Sequence, residues 1–589
     1  MKKRDPHSSW VPDAAQISHI DFDLVVDFDR QVLRGYADYR FTDSLGDQLQ
    51  LDTRAVQVKK ITECGNPSHE FRSALGEENF LGRVLTIHGT KGLMSLRIEF
   101  ETSPDAQALQ WLQPSQTAGK KYPYMFSQCQ AILARSVFPC QDTPSVRFTY
   151  NAALRVPKGL TAVMAAHQEA VVEENGHTVC RFAMRHPIPS YLFALAVGNI
   201  VSEKIGSVTR VFAEPEVVKA AAWEFDGVDA MIASAEDLYG DYVWDEFNLL
   251  VMPPSFPYGG MENPTLTFLT PTLIAGDRSL VSVVAHELAH SWTGNLVTNA
   301  TWEDFWLNEG WTVYAERRLV ERIYGTELAN LQAVSGRNDL LTAFKNFGDK
   351  TEYTKLETDL HNVDPDDVFS SVPYEKGFLL LVSVERAVGR DVFNTFVRSY
   401  INDFKFTSIT TATFVDYLKR RFPDIESKVD LRRWIHEPGL PDSAPQFSSH
   451  LIDEVRVAQE KWKNGDRALD ETISKWGVHQ KVLFLEELPQ KMSYADCAHV
   501  ERMFGIMNTG NNEILLPWYC IAAASNYTKT FSAIRDFLGV VGRGKYLRPL
   551  YRALHGNPET KALAAELFEQ FKDRYHSVAR AAVQRILAE

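Results

Sequence analysis

The sequence is poor in several features that would each point to a particular class of protein. Cysteine is scarce for 589 residues, and no Cys-x-x-Cys pair occurs, so neither a disulfide framework nor a cysteine metal site is indicated. The six cysteines are Cys64, Cys129, Cys140, Cys180, Cys497 and Cys520. No apolar run is long enough to span a bilayer. Internal repeats and low-complexity segments are also missing.

The chain has fewer positively charged than negatively charged residues. The chain has 62 lysines and arginines against 76 aspartates and glutamates, which gives a net charge of −14. Such a chain is a poor partner for nucleic acid or for an anionic membrane, so neither nucleic acid nor a stable membrane association is expected. Residues 1–6 are basic, but no apolar segment follows them, which favours a disordered tail and a cytoplasmic protein. The oligomeric state is not encoded in any visible pattern, and a monomer is the default.

Length and residue patterns divide the chain into three predicted domains. A single core stops growing at about 250–300 residues, so several domains are expected. Residues 1–203 are predicted to be β structure, because apolar and polar residues alternate at 33–41 and 96–101. Residues 204–437 begin with mixed patterns and continue as helices. The proline-rich segment 438–448 is predicted to be a non-helical linker, and residues 449–589 a helical domain.

A His-Glu-Leu-Ala-His segment at positions 286–290 carries a metal-binding pattern. Two residues four apart on a helix lie about 40° apart around its axis, so His286 and His290 can both reach one ion. Glu309 follows His290 with eighteen residues between them, which leaves room for a second helix to supply a third ligand. Glu287 is offset from the pair, at the position expected of a general base.

These residues predict one catalytic zinc ion per chain. Two histidines and one carboxylate leave the fourth position of a tetrahedral zinc ion open for water. The helix is expected to pack through an apolar stripe on the side opposite the histidines, made of Val281, Val284, Leu288 and Trp292.

A second motif, Gly-Gly-Met-Glu-Asn at positions 259–263, precedes the zinc motif. Together the two motifs resemble the paired signatures of the M1 family of zinc aminopeptidases. Four further segments resemble the leukotriene A4 hydrolase branch of that family: Phe-Ser-Gln-Cys-Gln-Ala at 126–131, Pro-Cys-Gln-Asp-Thr-Pro-Ser-Val at 139–146, Ser-Val-Pro-Tyr-Glu-Lys-Gly at 371–377 and Gly-Arg-Gly-Lys at 542–545. The resemblance covers nearly the whole chain. It implies an α+β multidomain fold with an N-terminal β saddle domain, a thermolysin-like (gluzincin) zinc catalytic domain and a C-terminal all-α helical domain.

The resemblance also implies residues that recognise the substrate's free amine and reacting carbonyl. Glu262 and Gln130 match the pair that binds the α-ammonium group, which a carboxylate and an amide oxygen can satisfy by charge-assisted hydrogen bonds. Gln128 is expected to line the same pocket. Tyr374 matches the tyrosine that stabilises the oxyanion of the reaction. The backbone that approaches the substrate is implied to be that of Gly259, Gly260 and Met261.

Further residues are implied to set specificity. Asp366 matches an aspartate at the inner end of the substrate cleft, where it favours basic side chains and, in leukotriene A4 hydrolase, positions a water molecule for epoxide opening. Arg543 and Lys545 match residues that clamp a substrate carboxylate. Glu316 shares a helix face with Glu309, seven residues earlier, and either hydrogen-bonds a zinc histidine or is an ordinary surface carboxylate.

The predicted function is a zinc aminopeptidase acting on short peptides, with tripeptides favoured. An epoxide hydrolase acting on a lipid is the alternative; Asp366 permits it, but Phe369 stands where the vertebrate epoxide hydrolases have a tyrosine. An inactive scaffold is disfavoured because every zinc ligand and the base are present. An endopeptidase is disfavoured because Glu262 and Gln130 would close the cleft beyond the substrate's first residue.

Overall fold

The computed structural model describes residues 3–589, with Met507 described by its backbone alone. It has an N-terminal β domain, a central mixed domain and a C-terminal helical domain, so the predicted fold class is confirmed.

The first domain is built from three β-sheets. An eight-stranded sheet has the order β13-β14-β11-β1-β2-β8-β4-β5, a four-stranded sheet the order β12-β15-β10-β9, and a three-stranded sheet the order β3-β7-β6. The strands are β1 (Ile17–Asp27), β2 (Val32–Phe41), β3 (Gln48–Thr53), β4 (Gln57–Glu63), β5 (Asn66–Glu70), β6 (Ser73–Leu75), β7 (Arg83–His88), β8 (Ser95–Glu101), β9 (Leu109–Leu112), β10 (Tyr124–Ser127), β11 (Arg147–Pro157), β12 (Thr161–Met164), β13 (His167–Glu174), β14 (His177–Pro189) and β15 (Leu195–Gly198).

The two stretches of alternating polarity form neighbouring strands, as period-two patterns predict. In β2 and β8, Ala37 pairs with Ile98 and Tyr39 with Leu96, and all four side chains are buried. Their neighbours Asp38 and Arg97 also pair, on the other face. The alternation therefore follows one buried and one open face of the sheet.

The second domain surrounds a five-stranded sheet of order β16-β17-β18-β20-β19. Its elements are β16 (Val201–Lys204), β17 (Arg210–Ala213), α1 (Val218–Glu224), α2 (Val228–Tyr239), β18 (Asn248–Val251), β19 (Gly260–Met261), β20 (Leu266–Leu269), α3 (Val281–Ala289), β21 (Val297–Asn299), α4 (Trp306–Tyr324), α5 (Thr326–Phe347), α6 (Gly377–Val388), α7 (Arg390–Phe404), β22 (Thr407–Ile409), α8 (Thr411–Arg421) and α9 (Leu431–His436). The predicted boundary after residue 203 falls inside β16, which pairs with β17. The domain limits remain proposals, and this pairing favours a first limit before Val201.

The third domain is helical. Its helices are α10 (His450–Lys463), α11 (Asp470–Ser474), α12 (Val478–Glu486), α13 (Tyr494–Met503), α14 (Asn512–Ala524), α15 (Phe531–Val540), α16 (Gly544–Gly556), α17 (Lys561–Phe571) and α18 (Ser577–Ala588). Residues 437–449 lie outside helices and strands, as three prolines in the linker predict.

The buried apolar side chains form two clusters. The β domain and the central domain share one continuous cluster, whereas the helical domain has its own, to which Leu331 of α5 contributes. Among the described residues, no helix has both the length and the apolar character needed to cross a membrane.

The prediction of a disordered tail is wrong from Lys3 onward; Met1 and Lys2 lie outside the described residues. Lys3 Nζ lies 3.0 Å from Glu303 and 3.1 Å from Glu357 of the central domain. Asp5 and His7 are both fully buried. The sequence pattern missed this because the segment is held by polar contacts with distant residues, which leave no local periodicity.

Candidate active site

Helix α3 presents the two histidines of the zinc motif. Val281, Val284 and Leu288 are buried on its core side, as the apolar stripe predicts. The helix ends at Ala289, so His290 lies at its C-terminal cap. Trp292 is buried but belongs to the following turn, and its placement on the helix was wrong.

Glu309 approaches both histidines from the first turn of α4. Its Oε2 atom lies 3.3 Å from His286 Nε2 and 3.5 Å from His290 Nε2, and the two Nε2 atoms are 3.2 Å apart. Ligands bound about 2.0–2.1 Å from a tetrahedral zinc ion lie about 3.3 Å from one another. The three separations therefore match the edges of such a site.

Hydrogen bonds on the far side of each imidazole fix which nitrogen faces the site. His286 Nδ1 lies 3.0 Å from Glu316 Oε2, and His290 Nδ1 lies 3.0 Å from the carbonyl oxygen of Thr293. Each Nδ1–H therefore donates outward, which leaves each Nε2 lone pair directed at the other ligands. Of the two roles considered for Glu316, the hydrogen bond to one of the motif histidines is confirmed.

The electrostatics of the three ligands also fit a cation. Oε2 of Glu309 is buried without a hydrogen-bond partner among the described residues. Burial alone would raise the pKa of Glu309, but His290 and His286 lower that pKa to about 2. Two imidazole nitrogens and a buried carboxylate oxygen that has no other hydrogen-bond partner among the described residues form a donor set suited to zinc.

Glu287 lies beside this set, against the backbone of β19. Burial, as the largest cause, raises the pKa of Glu287 to about 7. A Cβ atom built on Gly260 would overlap the Glu287 carboxylate. Gly260 is therefore required to be glycine by close approach, because any side chain there would displace the carboxylate.

Glu262 closes the same end of the cavity. It is buried, and its Oε1 atom has no hydrogen-bond partner among residues 3–589. Asn295 Nδ2 donates to the backbone oxygen of Glu262 at 2.6 Å, which fixes this segment. Burial raises the pKa of Glu262, whereas the charge of His290 opposes this.

Gln130 reaches the cavity, but two of the residues expected there do not. Gln130 lies in the loop after β10 and lines the cavity next to Glu262. Gln128 is buried behind it, where its Nε2 atom donates to the sulfur of Met261 at 3.2 Å. Neither Gln128 nor Met261 is among the residues that line the cavity, and both side chains are buried. The spacing of residues in the sequence cannot show which side chains of this loop reach the cavity, because the loop has no regular period.

Tyr374 lies on a turn of π-helix, Val372–Lys376, that leads into α6. Its hydroxyl donates to Glu309 Oε1 at 2.9 Å, so it lies at the edge of the ligand set. Burial and the nearby carboxylates raise the pKa of Tyr374 well above its usual value. The phenol therefore keeps its proton and remains a hydrogen-bond donor.

Asp366 lies on a short loop that lines the cavity. The side chain of Asp364 caps the loop by accepting from Asp366 N at 3.0 Å. Burial, together with the charges of Asp364 and Asp367, raises the pKa of Asp366 to about 7. Phe369 follows on the same loop, with its ring centroid 5.9 Å from that of Tyr374.

The helical domain supplies the opposite wall through the Gly-Arg-Gly-Lys turn. Gly544 N donates to the carbonyl oxygen of Pro257 at 2.8 Å, and a Cβ atom on Gly542 would overlap the carbonyl oxygen of Pro254. This docking places the Arg543 guanidinium directly against Gly259, where any side chain would collide with it.

Glu513 of α14 holds both cations of this turn and was not foreseen. It lies 2.7 Å from Lys545 Nζ and 3.8 Å from Arg543 Nη1. Burial would raise the pKa of Glu513, but Lys545 and Arg543 lower it to about 2. No motif marks Glu513, and only the folded C-terminal domain brings it to the turn.

A cavity of about 530 Å³ unites these groups. Apart from Gln128 and Met261, every residue predicted for the site lines it. The apolar side chains in its lining include those of Trp302, Phe305, Leu360, Val368 and Pro373. Arg548 of α16 also lines the cavity and was missed, because it lies outside the motif at 542–545.

Comparison with known proteins identifies the family. Family models match in succession: "Peptidase M1 N-terminal domain" at residues 16–192, "Peptidase family M1 domain" at 223–434 and "Leukotriene A4 hydrolase, C-terminal" at 476–587. Leukotriene A-4 hydrolase of Xenopus laevis is 39% identical over 607 residues, covering 99% of each chain. This chain belongs to peptidase family M1.

Other relatives of this M1 protein agree. Leucine aminopeptidase 2 of Sclerotinia sclerotiorum is 39% identical over 611 residues and is covered completely, as is this chain. The solved structure of yeast LTA4 hydrolase in complex with bestatin superposes with a TM-score of 0.93 at 35% identity, covering 100% of this chain and 98% of that one. The predicted family and branch are confirmed, and the chain is a hydrolase of the M1 zinc metallopeptidase family.

Proposed function

We propose that this M1 protein is an aminopeptidase that removes the N-terminal residue of short peptides, preferably tripeptides. The observation that carries the proposal is the buried Glu262 carboxylate, whose Oε1 atom has no hydrogen-bond partner among the described residues. Such an oxygen costs free energy unless a ligand satisfies it. The α-ammonium group of a peptide, with a usual pKa of about 8, is a suitable cation.

One zinc ion per chain would be held by His286, His290 and Glu309, whose separations match a tetrahedral site. When bound, zinc polarises the scissile carbonyl group and lowers the pKa of water toward about 7. Glu287 would accept a proton from the attacking water and pass it to the leaving amine. A pKa of about 7 suits both steps, because the group must gain and lose the proton near neutral pH.

Tyr374 and the amine-binding pair would complete the chemistry. The Tyr374 hydroxyl keeps its proton and can donate to the carbonyl oxygen as negative charge develops there. Glu262 and Gln130 would bind the substrate's amine, which sets the first peptide bond beside Glu287. Gln128 would act indirectly, by holding Met261 beneath this segment.

Arg543 and Lys545 would recognise the carboxylate of a short peptide. Both belong to the turn that the helical domain docks against the rim of the cavity, while the zinc ligands lie on α3 and α4. The distance between this turn and the zinc ligands would set the peptide length. Tripeptides would be favoured, because longer chains would meet the wall that the helical domain forms.

A panel of aminoacyl fluorogenic amides, assayed with and without a metal chelator, tests the activity. We expect hydrolysis of amides with a free amine, loss of hydrolysis with chelator, and recovery after zinc is added. The matched control is each amide with an N-acetyl group, which should not be cleaved. Equal cleavage of acetylated and free substrates would contradict the proposal.

A lipid epoxide hydrolase is the second candidate, favoured by the apolar side chains in the cavity lining and by Asp366 among the lining residues. Phe369 lacks the hydroxyl that the vertebrate epoxide hydrolases carry at this position. Incubation with leukotriene A4 and chromatography of the products tests this activity, and Asp366→Asn is the variant that should abolish it. An unchanged rate of epoxide opening in that variant would contradict the assignment.

We also propose that the protein acts in the cytoplasm as a monomer. The six cysteines are all free thiols, which suits a reducing compartment. Cell fractionation and light scattering of the purified protein would test the two statements separately.

A further inference from the structure

The N-terminal segment is buried against the loop that carries Asp366. Asp5 and His7 have no exposed surface, although they were expected to lie in or beside a free tail. His7 Nε2 lies 2.9 Å from the carbonyl oxygen of Val363, 356 residues away along the chain. Arg135 Nη2 donates to the backbone oxygen of His7 at 2.6 Å and holds the segment from the β domain.

Asp5 accepts hydrogen bonds on both carboxylate oxygens. Its Oδ2 atom accepts from Thr143 Oγ1 at 2.6 Å, and its Oδ1 atom accepts from the backbone N–H of His7 at 2.9 Å. The same Oδ1 atom lies 3.1 Å from His7 Nδ1. Both oxygens of Asp5 therefore act as hydrogen-bond acceptors.

The imidazole of His7 therefore has an acceptor at each nitrogen. Nδ1 faces Asp5 Oδ1, which already accepts from the backbone, and Nε2 faces the carbonyl oxygen of Val363. Either neutral tautomer would direct a lone pair at one of these oxygens, whereas the imidazolium form donates to both. The geometry accordingly favours a His7 imidazole that is protonated on both nitrogens.

Val363 directly precedes the loop that lines the cavity with residues between positions 365 and 370. Asp364 caps the loop, Asp366 and Phe369 line the cavity, and the π-helical turn with Tyr374 follows. A second polar contact from another part of the described chain, Arg585 to Asp367 at 3.3 Å, is exposed. A charge-assisted bond in a buried setting is the stronger of the two restraints.

We propose that the Asp5–His7 ion pair is a positioning device that anchors the Asp366 loop and so sets the preference for basic first residues. The inference rests on the proposed aminopeptidase function and on Asp366 receiving the first side chain. Neither residue touches the substrate. Both act through the backbone of Val363.

The anchor should weaken as pH rises. Burial and the guanidinium of Arg135 lower the pKa of His7, but the hydrogen bond and charge of Asp5 outweigh them and raise it. A histidine with a raised pKa contributes its full stabilisation below about 6.5, the usual value, and loses it as pH rises through the raised value. Asp52 and Asp142 lie beside Arg135 and partly offset its charge.

Hydrogen exchange and kinetics together test the anchor in the full-length protein. His7→Ala should accelerate exchange of the backbone amides at 363–370. It should also lower the ratio of kcat/KM for arginyl over alanyl fluorogenic amides by roughly tenfold, a fraction of the 10²-fold that a 1 Å misplacement can cost. The matched control is His19→Ala, because His19 pairs with Asp21 at 3.1 Å on the β domain without reaching the cavity.

Asp5→Asn is the second variant, since it preserves side-chain volume if His7→Ala folds poorly. In the wild type, the protection of amides 363–370 and the arginyl-over-alanyl ratio should both fall as pH rises, and should approach the values of His7→Ala at alkaline pH. In Asp5→Asn, both quantities should fall at a lower pH than in the wild type, because the charge of Asp5 no longer raises the pKa of His7. Asp366 also gains and loses a proton near neutral pH, but it does so in every variant. The difference in pH dependence between the variants therefore reports on His7.

Two outcomes overturn the proposal. Loop exchange at the wild-type rate in both variants would show that the pair does not anchor the loop. Faster exchange with an unchanged substrate ratio would show that the pair is structural only. If the wild type cleaves neither amide, the proposed function fails instead, while the exchange measurement still decides the anchor.

Discussion

Burial of Glu287 prepares a carboxylate that can exchange a proton near neutral pH. Its pKa of about 7 arises chiefly from burial, and the adjacent histidines oppose the shift. Burial of this kind requires a backbone without side chains beside the carboxylate, which Gly260 provides.

Glu287→Gln should retain the metal and lose most catalysis. The amide has nearly the same shape but cannot accept a proton from water. Removal of a general base costs about 10²–10⁴-fold in kcat. Metal analysis and steady-state kinetics of the same preparation would check this, and a near-normal rate with zinc bound would show that another group is the base.

Glu262→Ala should raise KM and lower kcat for free-amine substrates. The carboxylate would both bind the ammonium group and set the scissile bond, so its loss weakens binding and misplaces the substrate. Kinetics on alanyl amides would measure the effect. Gln128→Ala is a useful comparison, because Gln128 lies behind the pocket and its loss should cost less. Equal losses in the two variants would argue against direct contact by Glu262.

Two helices and one π-helical turn form the metal-binding and oxyanion side of the site. Helix α3 carries His286 and is capped by His290, α4 carries Glu309, and the turn Val372–Lys376 packs against α4. At Gly310 a Cβ atom would lie 2.7 Å from the Cα atom of Gly377, so this packing brings backbone against backbone. π-Helical turns occur often at functional sites.

Removal of zinc should lower the thermal stability of the central domain. A ligand that binds only the folded state stabilises it by about 2.7 kcal/mol when present at 100 times its Kd. Chelation should therefore lower Tm by several degrees, measured by calorimetry at fixed chelator concentration. Glu309→Gln is the control, because a variant that binds zinc poorly should unfold at the same temperature with and without chelator.

The site is completed only by contact between domains. The β domain contributes Gln130, the central domain the metal ligands, and the helical domain Arg543 and Lys545. The helical domain docks through contacts such as Gly542 against Pro254 and through Leu331 of α5, which joins its apolar cluster.

Arg543→Ala should slow hydrolysis of tripeptides far more than that of aminoacyl amides, which lack a carboxylate. A charged hydrogen bond is worth about 1.5–3 kcal/mol, or roughly 10–150-fold in kcat/KM. Lys545→Ala should have a smaller effect in the same direction, since lysine cannot bind bidentately and is already paired with Glu513. Equal slowing of both substrate types by Arg543→Ala would make the residue structural.

The sequence alone determined the family and the fold class, and it predicted the zinc ligands and the base. These depend on short-range spacing, such as two histidines one helical turn apart, and on motifs whose residues lie together in the chain. It also indicated the β domain, because alternation along a strand records which face is buried.

Only the tertiary structure decided which neighbours in the chain reach the cavity and which distant residues join them. Gln128 and Gln130 differ by two positions, yet one packs on Met261 and the other lines the site, because an irregular loop gives no period to read. Glu513 and His7 act through contacts that span many residues. Long-range electrostatic and hydrogen-bond partners are fixed by how the domains pack, and that packing leaves no mark on the local sequence.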